Sequence, residues 1–332
     1  MPNTDISFFD PLKSNAQIHG LVAGEYSRVP AAVRALMSDD LRDLSFKTAG
    51  GRIRFNTDSE ILALKMEVTN EPNMPHMPPS GSAGLDIFEG TGKNMKYIAT
   101  RQPDCGKKRL GAELSLAKGE KTLTLYLPLY NSIYSLKIGV EAGATVTPPP
   151  PYRRARPLVF YGSSITQGGC ASRAANSYCA MVARYFESDF INLGFSGAAK
   201  GEPFMAEHIA GLDMSCFIMD YDHNAPTPEH LQKTHLPFLQ TILAKQPELP
   251  VVILSKPDTT FTANDLARRD IIKASYDRLR AEHYDVHFID GGDLFGTDFR
   301  DSCTVDGTHP NDLGFYRMAQ VVKPVLAKAL GL

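Results

Sequence analysis

Four consecutive prolines, Pro148 to Pro151, lie within "TVTPPPPYRRARP" and constrain this chain more than any other feature. Proline lacks an amide hydrogen and has a locked φ. A run of four therefore continues neither a helix nor a β-ladder, and it favours an extended spacer. The hydrophobic period differs on the two sides of the run. This predicts a first domain over 1–147, a Pro/Arg-rich linker over 148–157 and a second domain over 158–332. With 332 residues the chain is long enough for two cores.

Upstream, apolar residues alternate with polar ones. "GGRIRFNT" places Ile53 and Phe55 on one face and Arg52 and Arg54 on the other. "EILALKMEV" and "KTLTLYLPLY" repeat the pattern, the latter with Leu123, Leu125, Leu127 and Leu129. Period two marks half-buried antiparallel strands, and glycine- and proline-rich turns between them predict an all-β sandwich. "PAAVRALMSDDL" reads as a short helix ahead of the sheet.

Downstream, continuous apolar runs recur at Leu158–Tyr161, Phe190–Leu193, Cys216–Met219, Val251–Leu254 and Val286–Ile289. Helix-period stretches separate them, and a last one closes the chain with Pro324 expected to kink it. This rhythm predicts an α/β domain, a parallel sheet covered on both faces. Functional groups in such sheets collect at the carboxyl ends of the strands.

Composition narrows the function classes. Thirty-five basic against thirty-seven acidic residues leave a net charge of −2, so the bulk charge carries no nucleic-acid signature. The three arginines of "YRRARP" read as solvated. No apolar run reaches the ~18 residues of a membrane span, so no membrane partner is expected. The N-terminus has neither a basic nor an apolar leader region. The five cysteines form no CxxC pair, and a cytoplasmic, reducing location is expected unless a leader was removed. No HExxH or cysteine cluster is present, and His283 and His287 straddle a change from helix to strand, so no metal site is expected.

The strand ends carry the chemistry. "LVFYGSSITQGG" delivers Ser163 and Ser164 onto a glycine-lined turn, where either could cap a helix or serve as a nucleophile. "GFSGAAKG" and "DYDHNAP" follow the next two apolar runs, and "VDGTHPNDLG" sets Asp306 three residues before His309. Acyl transfer by a serine needs an imidazole to take its proton, a carboxylate to orient the imidazole, and donors for the oxyanion. Each residue also has a plainer reading. His309 would be a loop histidine, Asp306 a turn former and Gly197 a glycine kept for its backbone. Cys170 reads as a small buried filler.

Block by block, the second half resembles the SGNH (GDSL-type) hydrolases. "GSSIT" is similar to their G-D-S-x-T block, with Ser163 in place of its aspartate, and the resemblance makes Ser164 the nucleophile. "NLGFSG" resembles the second block and nominates the Gly197 N–H for the oxyanion hole, beside that of Ser164. "DYDHNA" stands where the family has an asparagine block and nominates Asn224, although His223 and Ala225 depart from its G-x-N-D pattern. "VDGTHPND" resembles the last block and makes Asp306 and His309 the rest of a triad. In the first half, "GSAGLDIFEG" resembles the G-x-D-L-Y signature of an N-terminal β domain found with one subgroup.

The resemblance implies a flavodoxin-like domain with a five-stranded parallel sheet, preceded by a jelly-roll-like sandwich. It implies a serine esterase acting through an acyl-enzyme without a cofactor. The expected substrate is a small-molecule or glycan ester, with acetyl on a carbohydrate preferred by fold-level analogy. A lipase or thioesterase type of acylhydrolase, and a non-catalytic glycan-binding protein on this fold, are the alternatives. The absence of tryptophan argues against a long polysaccharide groove, although thirteen tyrosines could replace it. His76, in "NMPHMPPSG", is a candidate to overhang the site. Oligomeric state is not legible.

Overall fold

The computed structural model describes residues 5–258 and 260–332; residues 1–4 of the expected first domain lie outside them. Nine strands form the first half: β1 (Ile6–Phe9), β2 (Gln17–His19), β3 (Arg52–Thr57), β4 (Ile61–Val68), β5 (Leu85–Glu89), β6 (Lys96–Arg101), β7 (Arg109–Ser115), β8 (Lys121–Tyr126) and β9 (Ile133–Glu141). They pair antiparallel in two sheets, ordered β1-β9-β4-β7 and β2-β3-β8-β5-β6. The period-two residues meet between the sheets, where Ile53, Phe55, Leu62, Leu64, Leu123 and Leu125 are all buried.

The polar face of β3 is not exposed to water. Arg52 and Arg54 are 0% and 3% exposed, because that face of the second sheet packs against the C-terminal half. Arg52 donates to the Phe190 carbonyl at 3.0 and 3.1 Å, pairs with Asp189 and lies 3.9 Å above the Phe190 ring. Arg54 stacks on Tyr152 at 4.1 Å. A buried guanidinium is costly without such partners, so Arg52 ties the two halves together.

The second half begins inside the expected linker. Strand β10 (Arg154–Gly162) starts at Arg154, which pairs with Ser188, and Arg156 is solvent-exposed, as expected, with Asp213 as a surface ion-pair partner. With β11 (Ser188–Gly194), β12 (Cys216–Asp220), β13 (Val251–Leu254) and β14 (Val286–Ile289) it forms an all-parallel sheet ordered β11-β10-β12-β13-β14. The five apolar runs lie in these five strands.

The helices are α1 (Ala31–Arg34), α2 (Asp39–Ser45), α3 (Pro79–Ser82), α4 (Ser164–Gln167), α5 (Tyr178–Phe186), α6 (Pro203–Ala210), α7 (Pro228–Lys245), α8 (Ala263–Ala281) and α9 (Asp312–Ala329). The single helix expected near residue 31 is two, because Ser38 caps a fresh start by accepting from the Leu41 N–H. Pro324 lies within α9 without ending it. Helices α5 and α9 cover one face of the parallel sheet and α6, α7 and α8 the other.

Both cores recruit the N-terminal half. Val29, Met37 and Leu41 join the α6–α8 layer, while Met77, Phe88, Tyr126 and Leu129 join the α5–α9 layer. Among the described residues no helix is long and apolar enough to cross a membrane.

Candidate active site

Strand β10 ends at Gly162, where a Cβ would fall 2.1 Å from Asp220 Oδ1 and 2.3 Å from Thr166 Oγ1. Only glycine fits, and the chain turns at once into the four residues of α4. Ser163 caps that turn, its Oγ accepting from the Ile165 N–H at 3.0 Å. The neighbouring hydroxyl faces elsewhere: Ser164 Oγ lies 2.9 Å from His309 Nε2. One serine of the pair is therefore committed to the backbone and the other to an imidazole.

Asp220, at the end of β12, underlies this turn. It accepts from Thr166 Oγ1, from the Tyr178 hydroxyl at 2.9 Å and from the Ser163 N–H at 3.3 Å. Burial pushes its carboxyl up to about 6, although His223 and these hydrogen bonds pull the other way.

His309 sits on a tight turn closed by the Val305 N–H donating to its carbonyl at 3.0 Å. Asp306 Oδ1 accepts from the His309 and Thr308 N–H groups at 2.7 and 3.0 Å, and Oδ2 lies 2.7 Å from His309 Nδ1. Partial burial raises the Asp306 carboxyl, but these bonds outweigh it and hold it at about 2. A carboxylate at Nδ1 calls for the proton there, which leaves the Nε2 lone pair toward Ser164. Asp312, opening α9, accepts from the Ser172 N–H at 2.8 Å and from Asn176 at 2.8 Å, bracing the His309 turn against the segment after α4.

The third wall follows β11. Asn192 donates to the Thr166 carbonyl at 2.7 Å, and the Ser196 N–H donates to Gln167 Oε1 at 3.0 Å. Gly197 comes next, with φ +67° and open space around its missing Cβ, so backbone conformation and not crowding selects glycine. Its N–H has no protein acceptor among the described residues. Asn224 borders this loop, spending one amide proton on the Phe195 carbonyl at 3.0 Å. Its segment is braced by Asp222, which accepts from the Lys256 N–H and from His223 at 3.0 Å each, and by Arg268, which donates to the Ala225 carbonyl at 2.8 Å.

Sequence reasoning missed the contribution of the sandwich. Tyr130, just beyond β8, directs its hydroxyl to the Ser164 carbonyl at 3.3 Å. A Cβ on Gly169 would meet that hydroxyl at 2.7 Å and His309 Cδ2 at 3.5 Å, so glycine at this position lets the phenol and the imidazole approach the same turn. Burial pushes the Tyr130 hydroxyl up, which keeps it neutral. Gln167 fastens the Tyr130 loop through the Leu129 carbonyl at 3.0 Å. The break in alternation after Leu129 was the only signal for this loop.

His76 is exposed, forms no hydrogen bond or ion pair among the described residues, and is not tied to Ser164 or His309. Its loop does reach the site region through Ser80, which donates to the Ser172 carbonyl at 2.6 Å. Cys170, partly exposed at φ +72°, has its thiol pushed up to about 11 by burial and by Asp306. Among the described residues, no three His, Cys, Asp or Glu side chains cluster as metal ligands.

Comparison with known proteins finds a match for each half of the chain. Residues 155–327 match the GDSL-like lipase/acylhydrolase family, and residues 6–146 match the GxDLY N-terminus of SGNH-hydrolase-type esterases. No curated protein matches. A solved structure from Bacteroides ovatus, described as a GDSL-like lipase, is 30% identical over 98% of both chains, with a TM-score of 0.89. A salicylyl-acyltransferase from a tetracycline biosynthetic pathway is 22% identical over 98% of both chains, with a TM-score of 0.79. An acetyl xylan esterase from the rumen bacterium Butyrivibrio proteoclasticus is 14% identical over 98% of this chain and 99% of its own, with a TM-score of 0.62. The family match over the parallel-sheet half and the 30% identity along nearly the whole length lead to one conclusion: this chain belongs to the GDSL-like lipase/acylhydrolase family and is a carboxylic ester hydrolase of the SGNH type.

Proposed function

We propose that the protein is a serine esterase that removes a small acyl group, acetyl by preference, from an oxygen ester on a carbohydrate. The observation that carries the reading is the unbroken hydrogen-bonded series Ser164–His309–Asp306 at the carboxyl ends of parallel strands. His309 Nε2 takes the Ser164 proton as the hydroxyl oxygen bonds to the ester carbonyl carbon, and Asp306 stabilises the imidazolium. The N–H groups of Ser164 and Gly197 and the remaining Asn224 amide proton receive the oxyanion. As the C–O bond breaks, His309 returns the proton to the departing alcohol. Water then attacks the acyl-enzyme, again with His309 as base.

The likeness to an acetyl xylan esterase supports acetyl on a sugar. Free thiols at all five cysteines support a reducing compartment. The similarity to an acyltransferase favours a second reading, in which an alcohol other than water resolves the acyl-enzyme. Rates on p-nitrophenyl acetate, butyrate and octanoate for wild type and Ser164→Ala test the first reading. It requires activity that is highest on acetate and lost in the variant; equal rates in the two proteins would overturn it. Added sugar alcohols that become acetylated faster than acetate appears would shift the reading to transfer.

A further inference from the structure

Outside the site, a groove of about 300 Å³ runs between α5 and α9 and is capped by the turn at Lys93. Met181 and Ala319 form its floor, and its remaining walls are Lys93, Arg184, Tyr185, Tyr316 and Lys323. Three cations converge here with no carboxylate lining the groove. The Nζ atoms of Lys93 and Lys323 lie 4.4 and 4.6 Å from the Tyr185 ring centre, so one aromatic ring holds both ammonium groups at the rim. Arg184 rests over Phe88 at 5.1 Å.

Two acids, Asp86 and Glu187, lie nearby but do not line the groove. Asp86 is bound by Thr100 at 2.5 Å and by the Ala175 N–H at 2.8 Å, and it stands 3.9 Å from Arg173. Glu187 packs its carboxyl against Gly92 without an ion pair to these cations among the described residues. Burial first, and the neighbouring Lys93 second, push the Lys323 ammonium down.

We propose that this groove binds an anionic saccharide of the uronate type, with its carboxylate among Lys93, Arg184 and Lys323 and its ring on Tyr316. Tyr316 is 54% exposed and offers a free aromatic face, whereas Tyr185 is taken up by the ammonium groups. Arginine and lysine together supply charge-assisted donors to a carboxylate. Tyr316 lies seven residues beyond His309, near the start of α9, and Lys323 lies two turns further along that helix. The groove is thus a distal site for a saccharide whose ester is handled at Ser164; in taking the ligand to be a sugar, the inference rests on the esterase reading.

Titration calorimetry of the full-length Ser164→Ala protein with trigalacturonate, a sulfated trisaccharide and neutral cellotriose provides the test. Trigalacturonate is expected to bind at one site that weakens about tenfold in Lys93→Glu, in Lys323→Glu and with added salt. In the Ser164 background, both charge reversals are expected to leave p-nitrophenyl acetate hydrolysis unchanged. Unaltered affinity in both variants, equal binding of cellotriose, or no trigalacturonate binding would overturn the site. Binding of the sulfated sugar alone would overturn the carboxylate assignment. Absence of ester hydrolysis would overturn the esterase reading while leaving this binding measurement intact.

Discussion

Ser163 and Ser164 share one turn yet face different partners, so the two substitutions should separate cleanly. Ser164→Ala is expected to lower kcat/KM on p-nitrophenyl acetate by about 10³-fold or more. Ser163→Ala should keep turnover and lose about 1 kcal/mol of stability in urea, the usual value of a helix cap. Asp306, exposed on its turn, and Asp220, buried beneath the serine turn, predict opposite pH effects. Asp306 is held at about 2, below its ordinary 3.8, so its stabilisation is present above pH 4 and lost as pH falls toward 2. Asp220 is raised to about 6 from 3.8, so the folded state favours its protonated form, and that contribution fades as pH rises through 6. Unfolding in urea at pH 4 and pH 7 should show wild type losing on the order of 2 kcal/mol relative to Asp220→Asn across that interval. At this scale, the turns that carry Ser164, Asp306 and His309 were legible locally, and the resemblance of their blocks to a known family singled out the three residues. Tyr130 and Gln167 were not, since their partners lie 34, 38 and 29 residues away and no motif joins them.

The elements of the parallel sheet were legible as five apolar runs, wholly buried in β12 and β13 and partly half-buried in the edge strands β11 and β14. The sandwich strands were legible only on their apolar side. In β3 alternation identified Ile53 and Phe55 correctly, but nothing local tells Arg52 whether it meets water or Phe190. The difference is measurable, because an arginine exposed to solvent could be truncated at little cost. Arg52→Ala is expected to lower unfolding free energy by about 3 kcal/mol, since it strips Asp189 of a buried partner. Tyr130→Ala, at the edge of the same sandwich, should raise the butyrate-to-acetate rate ratio by opening the space beside His309, whereas Tyr130→Phe should leave it nearly unchanged. Parallel rate measurements on the two esters distinguish the variants.

As a whole, the molecule has two folding patterns and shared cores. Val29, Met37 and Leu41 complete one layer of the parallel-sheet half, and Phe88, Tyr126 and Leu129 complete the other. The second half expressed alone from residue 154 should therefore expose both apolar faces and aggregate, while the whole chain should unfold in one calorimetric transition. The period change around Pro148 predicted two domains from sequence, but the interpenetration depends on contacts between distant residues that no periodicity encodes. The buried arginines of β3 also impose an order in time. Asp189 follows Arg52 by 137 residues, so during synthesis at roughly 5–20 residues per second the strand waits about 7 to 27 seconds for its cover. Throughout that interval the face carries two full positive charges. The feature that later locks the halves together thus makes that face, until its cover arrives, a costly one to bury against any apolar surface.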